Sequence, residues 1–327
     1  MTEPIEALYA GPAKERAAWA LALRDAAAET ETPLTLHLDP DEAPAERIEY
    51  LFFAPSGSER DLRRFPNLRA IFSLWAGVET LLSREDLPEG VPIARMVEPG
   101  LTQGMVDYVV GHVMRLHLGL EQVLAQSAAQ QWAPAPPPLA FQRRIGVLGL
   151  GALGMEAARA LKAIGFDVAG WSRTRKGPAD GLPDGVEAVA GLEALGAFLG
   201  RSDILVALVP LTPETRGLMS AARLAQLPEG AHVINAARGP IFPEAALLEA
   251  LGPAEGGGRL ASATLDVFDR EPLPDGHAYW THPRVVVTPH IASVTRPETA
   301  SLPLIRQILR DRRGQPLRYV VSPERGY

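Results

Sequence analysis

The 327-residue chain contains no cysteine. Disulfide scaffolds, thiolate zinc sites, cysteine-held iron–sulfur clusters and a cysteine nucleophile are therefore excluded, and a reducing compartment fits. No stretch approaches the roughly 20 apolar residues of a membrane span, and residues 1–10 carry Glu3 and Glu6 with no basic or apolar leader-like run. The sequence reads as soluble and cytoplasmic, with no membrane partner. Positive charge is in the minority: 32 Lys and Arg stand against 39 Asp and Glu, a formal net charge of −7. That disfavours nucleic acid as a partner and leaves room for a local basic pocket. Internal repeats at solenoid spacing are missing, and the one low-complexity stretch is the proline run APAPPPL at residues 133–139, read as an exposed connector.

What is present is a composition that buries cores, 46% hydrophobic and 22% charged, on a chain long enough for two domains. Short apolar runs alternate with Ala/Leu-rich stretches, which predicts βα units around parallel sheets. Strands are expected at 34–38, 48–54, 68–74, 91–96, 145–148, 166–171, 204–209, 232–235, 260–265 and 285–288. Helices are expected at 14–28, 101–131, 155–164, 243–251 and 299–313. The last helix follows the final strand, so the chain is expected to cross back onto its first half.

Gly149-Leu150-Gly151-Ala152-Leu153-Gly154 matches G-x-G-x-x-G directly after a strand and at the opening of a helix. That context turns a weak pattern into a mechanism: the first glycine makes the turn, the second admits a pyrophosphate and the third allows close helix–strand packing. The helix N-terminus adds positive partial charge. About 20 residues on, where an acid would bond a ribose 2′-hydroxyl, stands Ser172, followed by Arg173, Thr174, Arg175 and Lys176. A hydroxyl with three cations suits a 2′-phosphate, which points to NADPH.

Three segments at expected strand ends carry the remaining polar candidates: Asn235-Ala236-Ala237-Arg238-Gly239, Asp266 to Leu273, and Thr288-Pro289-His290-Ile291. Ligands bind at the carboxyl ends of strands in open α/β sheets. One guanidinium, one carboxylate and one imidazole there suffice for hydride transfer to a 2-oxo acid. Arg238 binds the substrate carboxylate and polarises the ketone, His290 donates the proton, and Glu271 holds the imidazole. Singly, each has a plainer reading as an ion pair, a loop charge or a buried histidine; jointly they do not. No metal site is expected.

These motifs, with Val209-Pro210-Leu211-Thr212-Pro213-Glu214-Thr215 and the loop Ser73-Leu74-Trp75-Ala76-Gly77-Val78-Glu79, resemble the D-isomer-specific 2-hydroxyacid dehydrogenase superfamily. Within it the chain is most similar to the glyoxylate/hydroxypyruvate reductase A branch, the similarity running to Arg325-Gly326-Tyr327. The resemblance implies an α/β architecture of two doubly wound parallel-sheet domains. Residues 1–99 and 289–327 would form a flavodoxin-like substrate-binding domain, with a Rossmann NADP-binding domain at 100–288 inserted in it. It further implies that Arg238, Glu271 and His290 are catalytic and that Val209, Pro210, Thr215, Ala236 and Ala237 line the cofactor. Asp266 would bond the nicotinamide carboxamide, and Trp75, Ala76, Gly77 and Val78 would form the substrate loop, with a homodimer as the assembly. The implied reaction is NADPH-dependent reduction of glyoxylate to glycolate or hydroxypyruvate to D-glycerate. The alternatives are a non-catalytic dinucleotide sensor or a dehydrogenase for a larger 2-hydroxy acid. Two departures from the branch matter: Trp75 stands where a small residue is expected, and Gly239-Pro240-Ile241-Phe242-Pro243 replaces a more polar segment. Both are expected to make the pocket bulkier and more apolar.

Overall fold

Glu6 interrupts the apolar run Ile5–Ala10, yet that run is the strand next to the centre of the first of two sheets. The computed structural model describes residues 4–55, 61–254 and 256–322; the N-terminal Glu3 and the C-terminal Arg325-Gly326-Tyr327 lie outside them. The chain divides into two units, Met1–Leu101 with Val294–Tyr327, and Thr102–Ser293. In chain order the strands are β1 (Ile5–Ala10), β2 (Leu34–His37), β3 (Tyr50–Phe53), β4 (Ala70–Ser73), β5 (Ile93–Ala94), β6 (Arg144–Leu148), β7 (Asp167–Ser172), β8 (Glu187–Ala190), β9 (Ile204–Ala207), β10 (Ala231–Asn235), β11 (Leu260–Leu265) and β12 (Val285–Val287). The helices are α1 (Arg16–Glu29), α2 (Glu79–Leu82), α3 (Pro99–His117), α4 (Leu120–Ala128), α5 (Ala152–Ile164), α6 (Leu195–Gly200), α7 (Ala221–Leu224), α8 (Glu244–Leu251), α9 (Ala278–Thr281) and α10 (Pro297–Arg312).

The first unit is a parallel sheet of order β2-β1-β3-β4-β5. Alternate residues of β3 explain its two layers. Tyr50 and Phe52 enter a core with Trp19 and Leu23 of α1 and Leu304 and Ile308 of α10, while Leu51 and Phe53 enter a second core with Leu62 and Leu81. A strand covered on both sides must be apolar throughout. Glu6 is tolerated in β1 because it is paired: only 5% exposed, it lies 2.6 Å from His37 Nε2 and also meets the Arg47 guanidinium.

The second unit is a parallel sheet of order β12-β11-β10-β9-β6-β7-β8. Ile204 and Val206 of β9 face Val109 and Val113 of α3 and Leu161 of α5, while Leu205 and Ala207 face Phe198, Leu224 and Leu247 on α6, α7 and α8. From β6 the chain winds outward to β8, returns beside β6 as β9, and winds the other way to β12. The β6/β9 boundary is thus a topological switch point, the place where such sheets bind ligands at their carboxyl edge. Both units are α/β, as the sequence pattern predicts.

Three local readings differ. Residues 101–131 are not one helix, because Gly119 takes φ +63° and separates α3 from α4. β8, a half-buried edge strand led by Glu187, has too little apolar contrast to be read from sequence. The second boundary between units falls after Ser293 and not before Pro289, so residues 289–293 go with the second unit.

Candidate active site

β6 ends in the glycine turn. Gly149 has φ +116°, and a Cβ there would meet the Leu208 carbonyl and Val209 nitrogen at 2.8 Å, while a Cβ on Gly154 would lie 1.8 Å from the Gly149 oxygen. Those two glycines are demanded by the fold itself. Gly151 is different: it is exposed, and a Cβ on it would meet no atom within 4 Å. Space that the protein leaves open beside an uncapped helix is what an external phosphate requires. No side chain caps α5 at Gly151, and the Ala152 and Leu153 amides have no acceptor among the described residues. This cradle fits a dinucleotide pyrophosphate.

Beyond β7, Ser172 donates its hydroxyl to the Thr174 carbonyl at 2.8 Å, and Arg173 and Arg175 are exposed. Lys176 lies 3.8 Å from Asp180, four residues on. After β9, Val209 is buried and Pro210 exposed. Thr215 staples this loop by accepting from the Thr212 amide (2.7 Å) and donating to the Pro210 carbonyl (2.6 Å).

Asn235, at the end of β10, has a role that sequence reasoning passed over. Its Oδ1 accepts from the Ala237 amide (3.1 Å) and its Nδ2 donates to the Arg238 carbonyl (3.0 Å), folding the chain back so that Ala236 and Ala237 are buried. An Asn at the end of an apolar strand is the available signal. Arg238 donates from Nη1 to the Ala237 carbonyl at 2.6 Å. Gly239 then presses on the loop after β11: a Cβ there would lie 2.1 Å from the Phe268 carbonyl carbon. The Phe268 amide in turn donates to Glu271 Oε1 (3.0 Å), whose Oε2 lies 2.7 Å from His290 Nδ1. Glu271 and His290 are thereby joined, and Arg238 stands just past the carboxyl end of the neighbouring strand β10. Because a carboxylate only accepts, Nδ1 carries the proton and Nε2 is the nitrogen left for chemistry. The His290 side chain is 46% exposed and that of Glu271 35%.

Asp266, which the resemblance sets at the nicotinamide carboxamide, is 1% exposed, and its carboxylate accepts from the Thr288 hydroxyl (2.7 Å), the Ile291 amide (2.9 Å) and the Ala292 amide (2.9 Å). Its visible work is inside the protein, holding the segment that carries His290. In the segment after Arg238, Ile241 is 0% and Phe242 3% exposed; Ile241 is in the core, while Phe242 packs on that core and, with Gly239 and Phe268, lines a cavity.

In the first unit, Ser73 at the end of β4 pins the loop that follows by donating to the Trp75 carbonyl (2.8 Å) and accepting from the Trp75 amide (3.3 Å). Trp75 is 43% exposed and Val78 buried. The amides of Ala76, Gly77 and Val78 have no acceptor among the described residues, a row of donors suited to a carboxylate.

Known proteins resemble this chain in sequence and in fold. Residues 110–292 match the family model described as D-isomer specific 2-hydroxyacid dehydrogenase, NAD binding domain. A glyoxylate/hydroxypyruvate reductase A from Serratia proteamaculans is 40% identical over 265 residues, 80% of this chain and 82% of that protein. Among solved structures, a D-isomer specific 2-hydroxyacid dehydrogenase from Xanthobacter autotrophicus Py2 in complex with NADPH and MES superposes with a TM-score of 0.90 at 40% identity, covering 99% of this chain and 100% of that one. An NADPH-dependent glyoxylate/hydroxypyruvate reductase from Sinorhizobium meliloti, in complex with NADP and sulfate, has a TM-score of 0.85 at 34% identity, with the same coverage. No helix among the described residues is long and apolar enough to cross a membrane.

Proposed function

Because the chain belongs to the D-isomer specific 2-hydroxyacid dehydrogenase family, we propose that it reduces small 2-oxo acids with NADPH, glyoxylate to glycolate and hydroxypyruvate to D-glycerate. The observation that carries this reading is the Glu271–His290 contact at 2.7 Å, which leaves Nε2 as the one nitrogen of His290 not engaged by the carboxylate. NADPH, when bound, supplies the hydride. The cradle of Gly149, Gly151, Ala152, Leu153 and Gly154 would hold its pyrophosphate, with Ser172, Arg173, Arg175 and Lys176 beside the 2′-phosphate. Val209, Pro210, Thr215, Ala236 and Ala237 would line its remainder.

Arg238 binds the substrate carboxylate and draws electron density from the ketone. As the carbonyl oxygen gains charge, imidazolium His290 hands it the Nε2 proton, and Glu271 stabilises the cation and fixes the ring. The first unit, Met1–Leu101 with Val294–Tyr327, would form the substrate-binding domain, holding the carboxylate on the amides of Ala76 to Val78. The second unit, Thr102–Ser293, would form the cofactor domain. This role division rests on the placement of the glycine turn in the second unit and of the amide row in the first.

The enzyme would work in the cytoplasm, where reduced nicotinamide cofactor is available, as a homodimer. Supporting the dimer are exposed apolar side chains on and beyond α4: Leu124 at 68%, Trp132 at 96% and Phe141 at 66%. The test is a panel of 2-oxo acids assayed with NADPH and NADH, with molar mass measured by light scattering. Rapid NADPH oxidation with glyoxylate or hydroxypyruvate supports the reading; absence of turnover with every 2-oxo acid would make the chain a dinucleotide-binding protein without this activity.

A further inference from the structure

His290 has φ +54°, the left-handed conformation that a residue with a side chain seldom adopts unless its neighbours impose it. The neighbour that imposes it is Asp266. Its backbone carbonyl accepts from the His290 amide (2.9 Å), and its carboxylate takes the next two amides, Ile291 and Ala292. One residue thus collects three consecutive N–H groups.

The remaining donor to that carboxylate is the Thr288 hydroxyl, 2.7 Å from Oδ1. Since a carboxylate only accepts, Thr288 must spend its proton there, which leaves its oxygen as an acceptor. The group that meets this oxygen, at 2.8 Å, is the Tyr108 hydroxyl of α3. Proton direction along the chain is therefore fixed: Tyr108 donates to Thr288, and Thr288 donates to Asp266. Burial pushes the Tyr108 phenol up to about 12, so it remains a donor throughout the working range.

Tyr108 is itself held. Its ring packs on His112 at 4.3 Å between centroids, and Arg115 donates to His112 Nδ1 (3.2 Å) and to the Thr264 hydroxyl on β11 (2.7 Å). Residues 108, 112 and 115 occupy one face of α3 at spacings of four and three. A row that would ordinarily be apolar carries a phenol, an imidazole and a guanidinium, the phenol bonded to Thr288 just past β12 and the guanidinium to Thr264 in β11.

We infer that Tyr108 is a positioning residue for His290, acting through Thr288 and Asp266. This rests on the reading of His290 as proton donor. Because the network holds the imidazole's backbone and touches neither the glycine turn nor the amide row, its loss should lower kcat and leave KM for NADPH unchanged.

The experiment compares Tyr108→Phe, Thr288→Val, Thr288→Ser and the Phe/Val double variant, with His290→Gln as reference and Tm measured for each. Tyr108→Phe is expected to lower kcat by about tenfold with KM for NADPH and Tm near wild type, and Thr288→Ser to retain activity that Thr288→Val loses. The double variant should be no slower than Thr288→Val alone, because the phenol acts through that hydroxyl. Wild-type kcat in Tyr108→Phe, or losses that multiply in the double variant, would overturn the inference even if His290→Gln is inactive. An active His290→Gln would instead remove the reading on which it stands, and the inference with it.

Discussion

Glu271 accepts the Nδ1 proton of His290 at 2.7 Å while its second oxygen accepts the Phe268 amide at 3.0 Å, so the carboxylate is clamped to the backbone on one side and to the ring on the other. With Nδ1–H engaged, Nε2 is the nitrogen left to pass a proton to the substrate oxygen. His290→Gln should lower kcat by about 10³-fold. Glu271→Gln should lower it by about 10²-fold, because the amide loses the charge that stabilises imidazolium and turns an N–H₂ toward Nδ1–H or the Phe268 amide. Steady-state kinetics on the two variants checks both.

The glycine turn separates fold from cofactor. Gly154→Ala places a methyl 1.8 Å from a backbone oxygen and should destabilise the protein by about 3 kcal/mol or more. Gly151→Ala meets open space and should leave Tm nearly unchanged while weakening NADPH binding. Thermal melts and cofactor titration on the two variants should give opposite patterns.

Arg173 and Arg175, both exposed beyond β7, should discriminate the 2′-phosphate. Replacing both by Ala should weaken NADPH binding by about 10²-fold and NADH binding little. The preference should also fall as salt screens the wild-type contacts. Equal losses for the two cofactors would refute the assignment.

Trp75, 43% exposed on a loop whose backbone Ser73 pins, should act on substrate choice more than on stability. Trp75→Ala should raise kcat/KM for 2-oxo acids with longer side chains, relative to glyoxylate, by about tenfold or more. Its Tm should stay close to wild type. A panel of 2-oxo acids measured on both proteins decides.

His232 on β10, with Nδ1 2.8 Å from the Ser262 hydroxyl, is pushed down to about 4 by burial and then by the nearby Arg143 and Arg115. It stays neutral in the folded state while the unfolded chain takes up a proton near 6.5. Stability is therefore complete above about pH 6.5 and lost as pH falls toward 4, by up to roughly 3 kcal/mol for this group. Chemical denaturation of His232→Gln should show a flatter decline over that window than wild type.

The parallel βα architecture, the turn after β6 and the three polar strand ends could be read from sequence because each depends on local pattern: apolar runs, glycine spacing, charge beside a strand. β1 escaped because Glu6 breaks its run, and only His37 from the adjacent strand and Arg47 from the following loop make that acid tolerable. The helix break at Gly119 escaped because a glycine within a helical pattern does not announce a positive φ. Asp266 was legible as a polar strand end, but its partners were not.

By itself the sequence determined that this chain is a cysteine-free α/β protein with a dinucleotide turn, a basic loop after the second strand of that fold, and Arg238, Glu271 and His290 at expected strand ends. Periodicity and spacing are properties of neighbours along the chain, so they survive without coordinates. Tertiary structure alone decided which oxygen of Glu271 meets which nitrogen of His290. It also turned the Asp266 carboxylate inward to three donors, and bonded a tyrosine 180 residues earlier to Thr288. Hydrogen bonds are directional and short, and which groups come within 3 Å depends on how strands and helices pack, information no local pattern carries.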